Sequence, residues 1–296
     1  ARVHGFSLDP PEPPTLFECA EVATLLESDH RADLLDRLSL EETIEAVRPE
    51  VVFHLAAQPL VEVGFRDPAE TWRVNVLGTV NLMNHVKIKK RVLFPSTALT
   101  YETSSSPISE EAAVDLSSTY ALSKNMGEQV IKLHCNRMGV GHTIVRFFNI
   151  FGPGQIPMYI VPQVLSQIRD NHHIEIRNGT VMRDLLFVED CIDAVLKLAV
   201  TDAAQDNVFN IGSGHIVSIT DVAKAAIEAS GLQGVEITDL EEKIAYSPTA
   251  IMADIAVAPM GRNFVGPDVH ILGPESGLPA MGNYDLELQV GVRVPS

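Results

Sequence analysis

An α/β fold built on a parallel sheet is what this 296-residue sequence predicts. Short β-branched runs alternate with helical patterns, as βαβ units do. Several of those runs end at small or hydroxyl-bearing residues. A hydrophobic content of 46% is enough to bury a large core in one or two domains.

The elements follow in order. Glu50 to Leu55 reads as a buried strand ending at Ala56-Ala57. A helix is predicted from about Asp67 to His85, carrying Trp72, Val76, Val80 and Leu82 on its apolar positions. Arg91 to Phe94 is the next strand and ends at Pro95-Ser96-Thr97. Ser106 to Ser118 is polar and irregular, and Ser118 or Thr119 caps the helix that holds Tyr120. His142 to Phe148 is a further strand, broken by Gly152-Pro153-Gly154. Past Phe151 come a helix over Ile160 to Asn171, with Pro162 tolerated near its start, and Arg183 to Asp190 leading into a helix through Ala194 and Leu198. Val208 to Ile211 is a strand closed by Gly212-Ser213-Gly214, and a helix from Ile219 to Ser230 takes Ser218 or Thr220 as its cap. From Ile255 onward glycine and proline punctuate the chain and no helix is predicted.

Charge and composition exclude whole classes of function. A net charge of −17 opposes binding to nucleic-acid backbones or anionic membranes, although local arginines can still hold a small anion. No run of 18 apolar residues is present, and Ala1-Arg2-Val3-His4 lacks the features of a signal peptide. Cys19, Cys135 and Cys191 are odd in number and far apart, which fits reduced thiols and a cytoplasmic location. No His-Glu-x-x-His spacing occurs, His172-His173 reads as surface, and no metal is expected.

In an open α/β sheet ligands gather beyond the carboxyl ends of the strands, and Ala56, Thr97 and Asn149 all sit at such ends. Tyr120 and Lys124 follow, four apart on one helical face, so both project into a common pocket. A free tyrosine, with a pKa near 10, is a poor base at neutral pH, and a neighbouring ammonium favours its phenolate. Bringing it into the working range takes a shift of roughly three units, about 4 kcal/mol. One close cation and a bound, positively charged nicotinamide supply a sum of that size. The pair suits removal of a hydroxyl proton while hydride leaves the same carbon.

The motifs occur in a telling order: His54-Leu55-Ala56-Ala57, Asn75-Val76-x-Gly78-Thr79, Ser96-Thr97 with Tyr101, and Tyr120-x-x-x-Lys124. Arg146-Phe147-Phe148-Asn149 with Gly152-Pro153-Gly154, Arg183-Asp184 with Val188-x-Asp190, and Asn210-Ile211-Gly212-Ser213-Gly214 complete the series. Together they resemble the extended short-chain dehydrogenase/reductase family, in its NAD-dependent sugar-nucleotide epimerase and dehydratase group. Gly5 to Pro11 and Ala56 to Val61 are most similar to the CDP-glucose 4,6-dehydratases of that group. The resemblance implies a Rossmann-type doubly wound parallel sheet with a smaller C-terminal substrate-binding lobe. Residues 1–150, with 180–214 returning to them, would form the NAD-binding domain, and 151–179 with 215–296 the lobe.

It also implies roles. Tyr120 would take the sugar hydroxyl proton, Lys124 would hold the nicotinamide ribose, and Thr97 would hydrogen-bond the same substrate oxygen. Asp33 and Leu34 would border the adenine. His54, Ala56, Ala57, Asn75, Ser96 and Phe147 would line the cofactor. Gln58, Asn149 and Arg183 would meet the substrate, Arg183 at the diphosphate, a task suited to a guanidinium. The cofactor would be NAD, the partner a nucleoside-diphosphate sugar, and the assembly a homodimer built from the helices at Asp67–His85 and Ser118–Arg137. Read from the residues alone, Asn75 and Asn149 could instead be loop-turn residues, Arg183 half of a solvated ion pair with Asp184, and Gly212-Ser213-Gly214 only a turn after a strand.

Three departures qualify the resemblance. The family's first strand and its Gly-x-x-Gly-x-x-Gly turn have no counterpart in the sequence, which implies that it begins after them; Val86 to Lys90 is short for a helix-to-strand return. Ala98 and Leu99 stand where the 4,6-dehydratases carry the acid that protonates the departing hydroxyl, and neither transfers a proton. Glu102, Glu110 or Glu111 would have to replace it. The tail, residues 255 to 296, reads as loops and short strands such as Leu286 to Val290 rather than helices. The expectation is a C4 epimerase, with a 4,6-dehydratase, a 4-ketoreductase and a non-catalytic NAD-fold scaffold as alternatives.

Overall fold

The structure is a computed structural model that describes residues 1–11, 15–85, 87–102, 104, 107–156, 158–171 and 173–240. The expected short strands of the tail lie outside the described residues. Strand β1 (His4–Ser7) is followed by helix α1 (Leu16–Cys19), strand β2 (Ser28–Arg31), helix α2 (Arg37–Val47) and strand β3 (Val51–Phe53). The helix expected over 67–85 is segmented. Helix α3 (Val61–Arg66) precedes it, helix α4 (Pro68–Trp72) opens under an Asp67 cap, a π-helical turn spans Arg73–Gly78, and helix α5 (Thr79–His85) ends it. Strand β4 (Arg91–Thr97) runs three residues further than expected and carries Ser96 and Thr97 within it. Helix α6 (Thr119–Met138) is capped by the Ser118 hydroxyl, which accepts the Ala121 N–H at 3.1 Å. It stops at Gly139, whose left-handed φ of 67° suits glycine.

Strand β5 (Gly141–Phe147) and strand β6 (Asn149–Phe151) come next, then helix α7 (Ile160–Asn171) and strand β7 (His173–Arg177). Strand β8 (Met182–Phe187) feeds helix α8 (Val188–Val200), and strand β9 (Asn207–Ile211) leads to strand β10 (Ile216–Ser218). Helix α9 (Ile219–Ser230) takes Ser218, not Thr220, as its cap, and strand β11 (Glu236–Leu240) closes the described chain. No helix among the described residues is long and apolar enough to cross a membrane.

The central sheet is four parallel strands in the order β3-β4-β5-β9. Its residues alternate between two cores, as the strand period of two dictates. Val52, Val92, Phe94 and Ile144 pack with α2, α5 and α6, whereas Val51, Phe53, Leu93 and Val145 pack against α8. Helices therefore cover both faces, and the sheet is doubly wound. Strands β1 and β2 pair with each other in a separate parallel sheet, yet Phe6 of β1 belongs to the same core as Val52 of β3. Among the described residues, β1 and β3 each keep one edge without a strand partner. Two smaller sheets, β10-β8-β6 and β11-β7, lie outside the central one, and α7 and α9 share a third core with β7.

Candidate active site

Register brings the strand ends together: Thr97 of β4 stands opposite Phe147 of β5, which stands opposite Ile211 of β9. Across this end runs the first turn of α6, where the Thr97 side chain bears on the Tyr120 phenol. Burial raises the Tyr120 phenol above its usual value, and Tyr159 at the start of α7 pushes it the same way. Thr97 pulls it down. The expected lowering by Lys124 is not found: the influences on the phenol are burial, Tyr159 and Thr97, and burial is the largest.

Lys124 lies one turn further along and is 4% exposed. Its ammonium sits 4.6 Å from the centre of the Phe94 ring and forms no ion pair among the described residues. Burial lowers it from 10.5 to about 8, against a raising influence from Glu128. Gly127 makes this packing possible, since a Cβ there would lie 2.5 Å from a Phe94 ring atom.

The loop after β3 is pinned by a buried network. Asn75, in the π-helical turn, accepts the Gln58 N–H at 2.7 Å and donates to the Gln58 carbonyl at 3.1 Å and the Ser123 hydroxyl at 3.0 Å. It is thus a tie between loop and α6 rather than a turn residue, and its segment is one of the π turns that recur at functional sites. Gln58 donates to Thr71, and Ala56 and Ala57 are half-buried beside it. The Thr79 hydroxyl donates to the Asn75 carbonyl at 2.7 Å, so the His54 Nε2 at 2.8 Å must carry the proton it shares with Thr79. His54 Nδ1 is then a buried acceptor without a partner among the described residues. Burial, with Lys124 nearby, lowers His54 to about 3.

Below the strand end lies an ion pair that the sequence did not announce. Ser96 donates to Glu128 at 2.5 Å, and Arg146 grips the same carboxylate at 2.9 and 2.7 Å. The other expected residues make their contacts elsewhere. Asp33 accepts the Leu35 N–H and pairs with Arg73 at 3.2 Å, and Leu34 is buried in the core with α2 and α5. Phe147 packs against the α8 core. Asn149 is held by β6 and donates to the Asp184 carbonyl at 3.0 Å. Arg183 donates to the Met182 carbonyl, and burial lowers it to about 10. Asp184 is fully buried and accepts the N–H groups of Ser213 and Gly214 at 2.8 Å each, so it is a brace for that turn and not half of a solvated pair. Tyr159 and Glu128 are the functional candidates that sequence reasoning missed. Glu128 continues the 120, 124 spacing by one more turn; Tyr159 had no signal.

The residues fit a nicotinamide cofactor at one end. A buried ammonium without an anion and an unpartnered histidine acceptor are what a ribose hydroxyl pair would satisfy. For the pyrophosphate, the glycine-rich turn that the resemblance leads one to expect is not in the sequence.

The model of the NAD dependent epimerase/dehydratase family matches residues 12–212. CDP-glucose 4,6-dehydratase of Salmonella typhimurium is 33% identical over 198 residues, 62% of this chain and 55% of that protein, so the chain spans little more than half of that relative's length. UDP-glucose 4-epimerase of Mycoplasma genitalium is 29% identical over 255 residues, 77% of this chain and 74% of that protein. The structure of MoeE5 in complex with UDP-glucuronic acid and NAD aligns with a TM-score of 0.70 at 26% identity, over 86% of this chain and 80% of that one.

Proposed function

Because the chain belongs to the NAD dependent epimerase/dehydratase family, an α/β family of Rossmann type, we propose that it is an NAD-dependent epimerase acting at C4 of a nucleoside-diphosphate sugar. The observation that carries the reading is the buried Lys124 ammonium one helical turn from Tyr120, with Thr97 at the strand end bearing on the same phenol. NAD bound there would accept hydride from C4 and return it to the other face of the 4-keto sugar. Tyr120 takes the 4-hydroxyl proton and gives it back. Thr97 donates to the same oxygen as the carbonyl forms and recedes. Lys124 supplies the positive charge that a bare buried phenolate lacks, and with His54 holds the ribose. Asp33 and Leu34 border the adenine in this reading. Gln58 and Asn149 contact the sugar, and Arg183, desolvated on β8, pairs with the diphosphate.

The absence of an acid beside Thr97 favours epimerisation over loss of water. Ala98 is buried with Tyr101, Ile108 and Phe148. The Glu110 carboxylate is occupied by the Asn210 N–H at 2.8 Å, and Glu102 is exposed. A sugar-nucleotide 4,6-dehydratase is the second reading, supported by the likeness to the Salmonella enzyme. Assay of the purified chain with NAD and UDP-, dTDP-, CDP- and GDP-sugars tests both. Turnover lost in Tyr120→Phe supports an enzyme of this type, and an inverted C4 separates it from a 4-keto-6-deoxy product. A chain that neither binds the cofactor nor turns over any of these sugars would contradict it.

A further inference from the structure

Glu128 is fully buried at the third turn of the face that carries Tyr120 and Lys124. A buried carboxylate is expensive unless it is paired and hydrogen-bonded. Here three donors converge on it: the Ser96 hydroxyl of β4 at 2.5 Å, and Arg146 of β5 at 2.9 and 2.7 Å. The guanidinium is itself 4.8 Å from the centre of the Tyr101 ring, whose hydroxyl donates to Asn210 at 2.6 Å. Burial alone would lower Arg146, but the hydrogen bonds and charge of Glu128 raise it above its ordinary value. Three elements that carry the proposed chemistry therefore meet on one side chain.

We propose that Glu128, clamped by Arg146, is a positioning residue that keeps Lys124 charged and fixes the Ser96–Thr97 strand end against helix α6. The inference rests on the Tyr120 and Lys124 reading given above. The groups that act on Lys124 among the described residues are Glu128 on its own helix, the Phe94 ring of β4 and His54 beyond β3. Of these, Glu128 is the anion. It opposes the desolvation that draws Lys124 down to about 8. Because Ser96 precedes Thr97 in the strand, the same carboxylate also sets where the Thr97 hydroxyl meets the Tyr120 phenol.

The test is the titration of Lys124, followed through its ε-methylene resonance in the full chain with ¹³C-lysine. The wild type is expected to titrate near 8. Glu128→Gln moves that value down by about one unit or more, and Glu128→Asp, which keeps the charge but draws it back by a methylene, moves it less far in the same direction. Ser96→Ala removes one hydrogen bond and no charge, and leaves it in place. The alkaline limb of turnover moves down with the lysine, so that activity above the limb falls up to tenfold per unit. Should the glutamine variant fail to fold, the aspartate variant decides. An Lys124 titration identical to wild type in either folded Glu128 variant would overturn the proposal. The titration needs no substrate: an unmoved lysine with turnover intact removes this inference alone, whereas no turnover in the wild type removes the functional reading and leaves the lysine shift standing.

Discussion

The Lys124 ammonium lies 4.6 Å from the centre of the Phe94 ring, its charge buried against an aromatic face with no carboxylate in ion-pair contact among the described residues. The arrangement costs stability and places a cation where the proposed reaction needs one.

Replacing Lys124 by methionine abolishes turnover and stabilises the fold. The unfolded side chain keeps its proton up to about 10.5 and the folded one to about 8, so the unfolded state binds more protons in between. The cost of the buried charge is whole below pH 8, fades as pH rises and is gone above 10.5. At pH 7 it is about 3 kcal/mol, which corresponds to a gain of several degrees in Tm for the variant. Thermal melts at pH 7 and pH 10 check it; the gain shrinks at the higher pH.

Gly127→Ala destabilises the protein despite the roughly 1 kcal/mol that helix propensity offers. The added methyl meets the Phe94 ring at 2.5 Å, and a rigid ring in a packed core cannot swing aside. The expected net loss is about 1–3 kcal/mol by chemical denaturation, with a weakened Lys124 site.

His54 makes the fold acid-sensitive. Its folded value near 3 lies below the unfolded 6.5, so the unfolded state takes up the proton first and stability falls as pH drops from 6.5 toward 3. Between pH 6.5 and 5 the loss is about 2 kcal/mol. Denaturation curves for His54→Gln at pH 7 and pH 5 should lack that component.

Leu77 in the π-helical turn, and Met126 and Leu133 on α6, are 56%, 40% and 58% exposed. Apolar side chains on these two helices suit the homodimer that the family resemblance implies. Leu133→Glu is expected to give a monomer by sedimentation, with an unchanged circular dichroism spectrum; a wild type that sediments as a monomer would remove the dimer.

Much of this was legible in the sequence because it is local. The i,i+4 spacing of Tyr120 and Lys124, the cap at Ser118 or Thr119 and the apolar strand runs of β3 to β5 depend on neighbours along the chain. What was not legible is tertiary. Arg146 reaches Glu128 from a strand 18 residues further on, and Asp184 braces Ser213 and Gly214 about thirty residues away. The π-helical turn at Asn75 has no sequence signature, because it is fixed by the polar contacts of Gln58 and Ser123. The Tyr120 shift went opposite to expectation because spacing shows the ammonium but not the burial around the phenol.

The most direct test of the central claim is the identity of the product formed from nucleoside-diphosphate sugars with NAD. The account predicts an isomer of unchanged mass inverted at C4, formed by the wild type and reduced by at least 10²–10⁴-fold in Tyr120→Phe, the range general acid–base catalysis supplies. A product lighter by one water, or turnover undiminished in Tyr120→Phe, would contradict it.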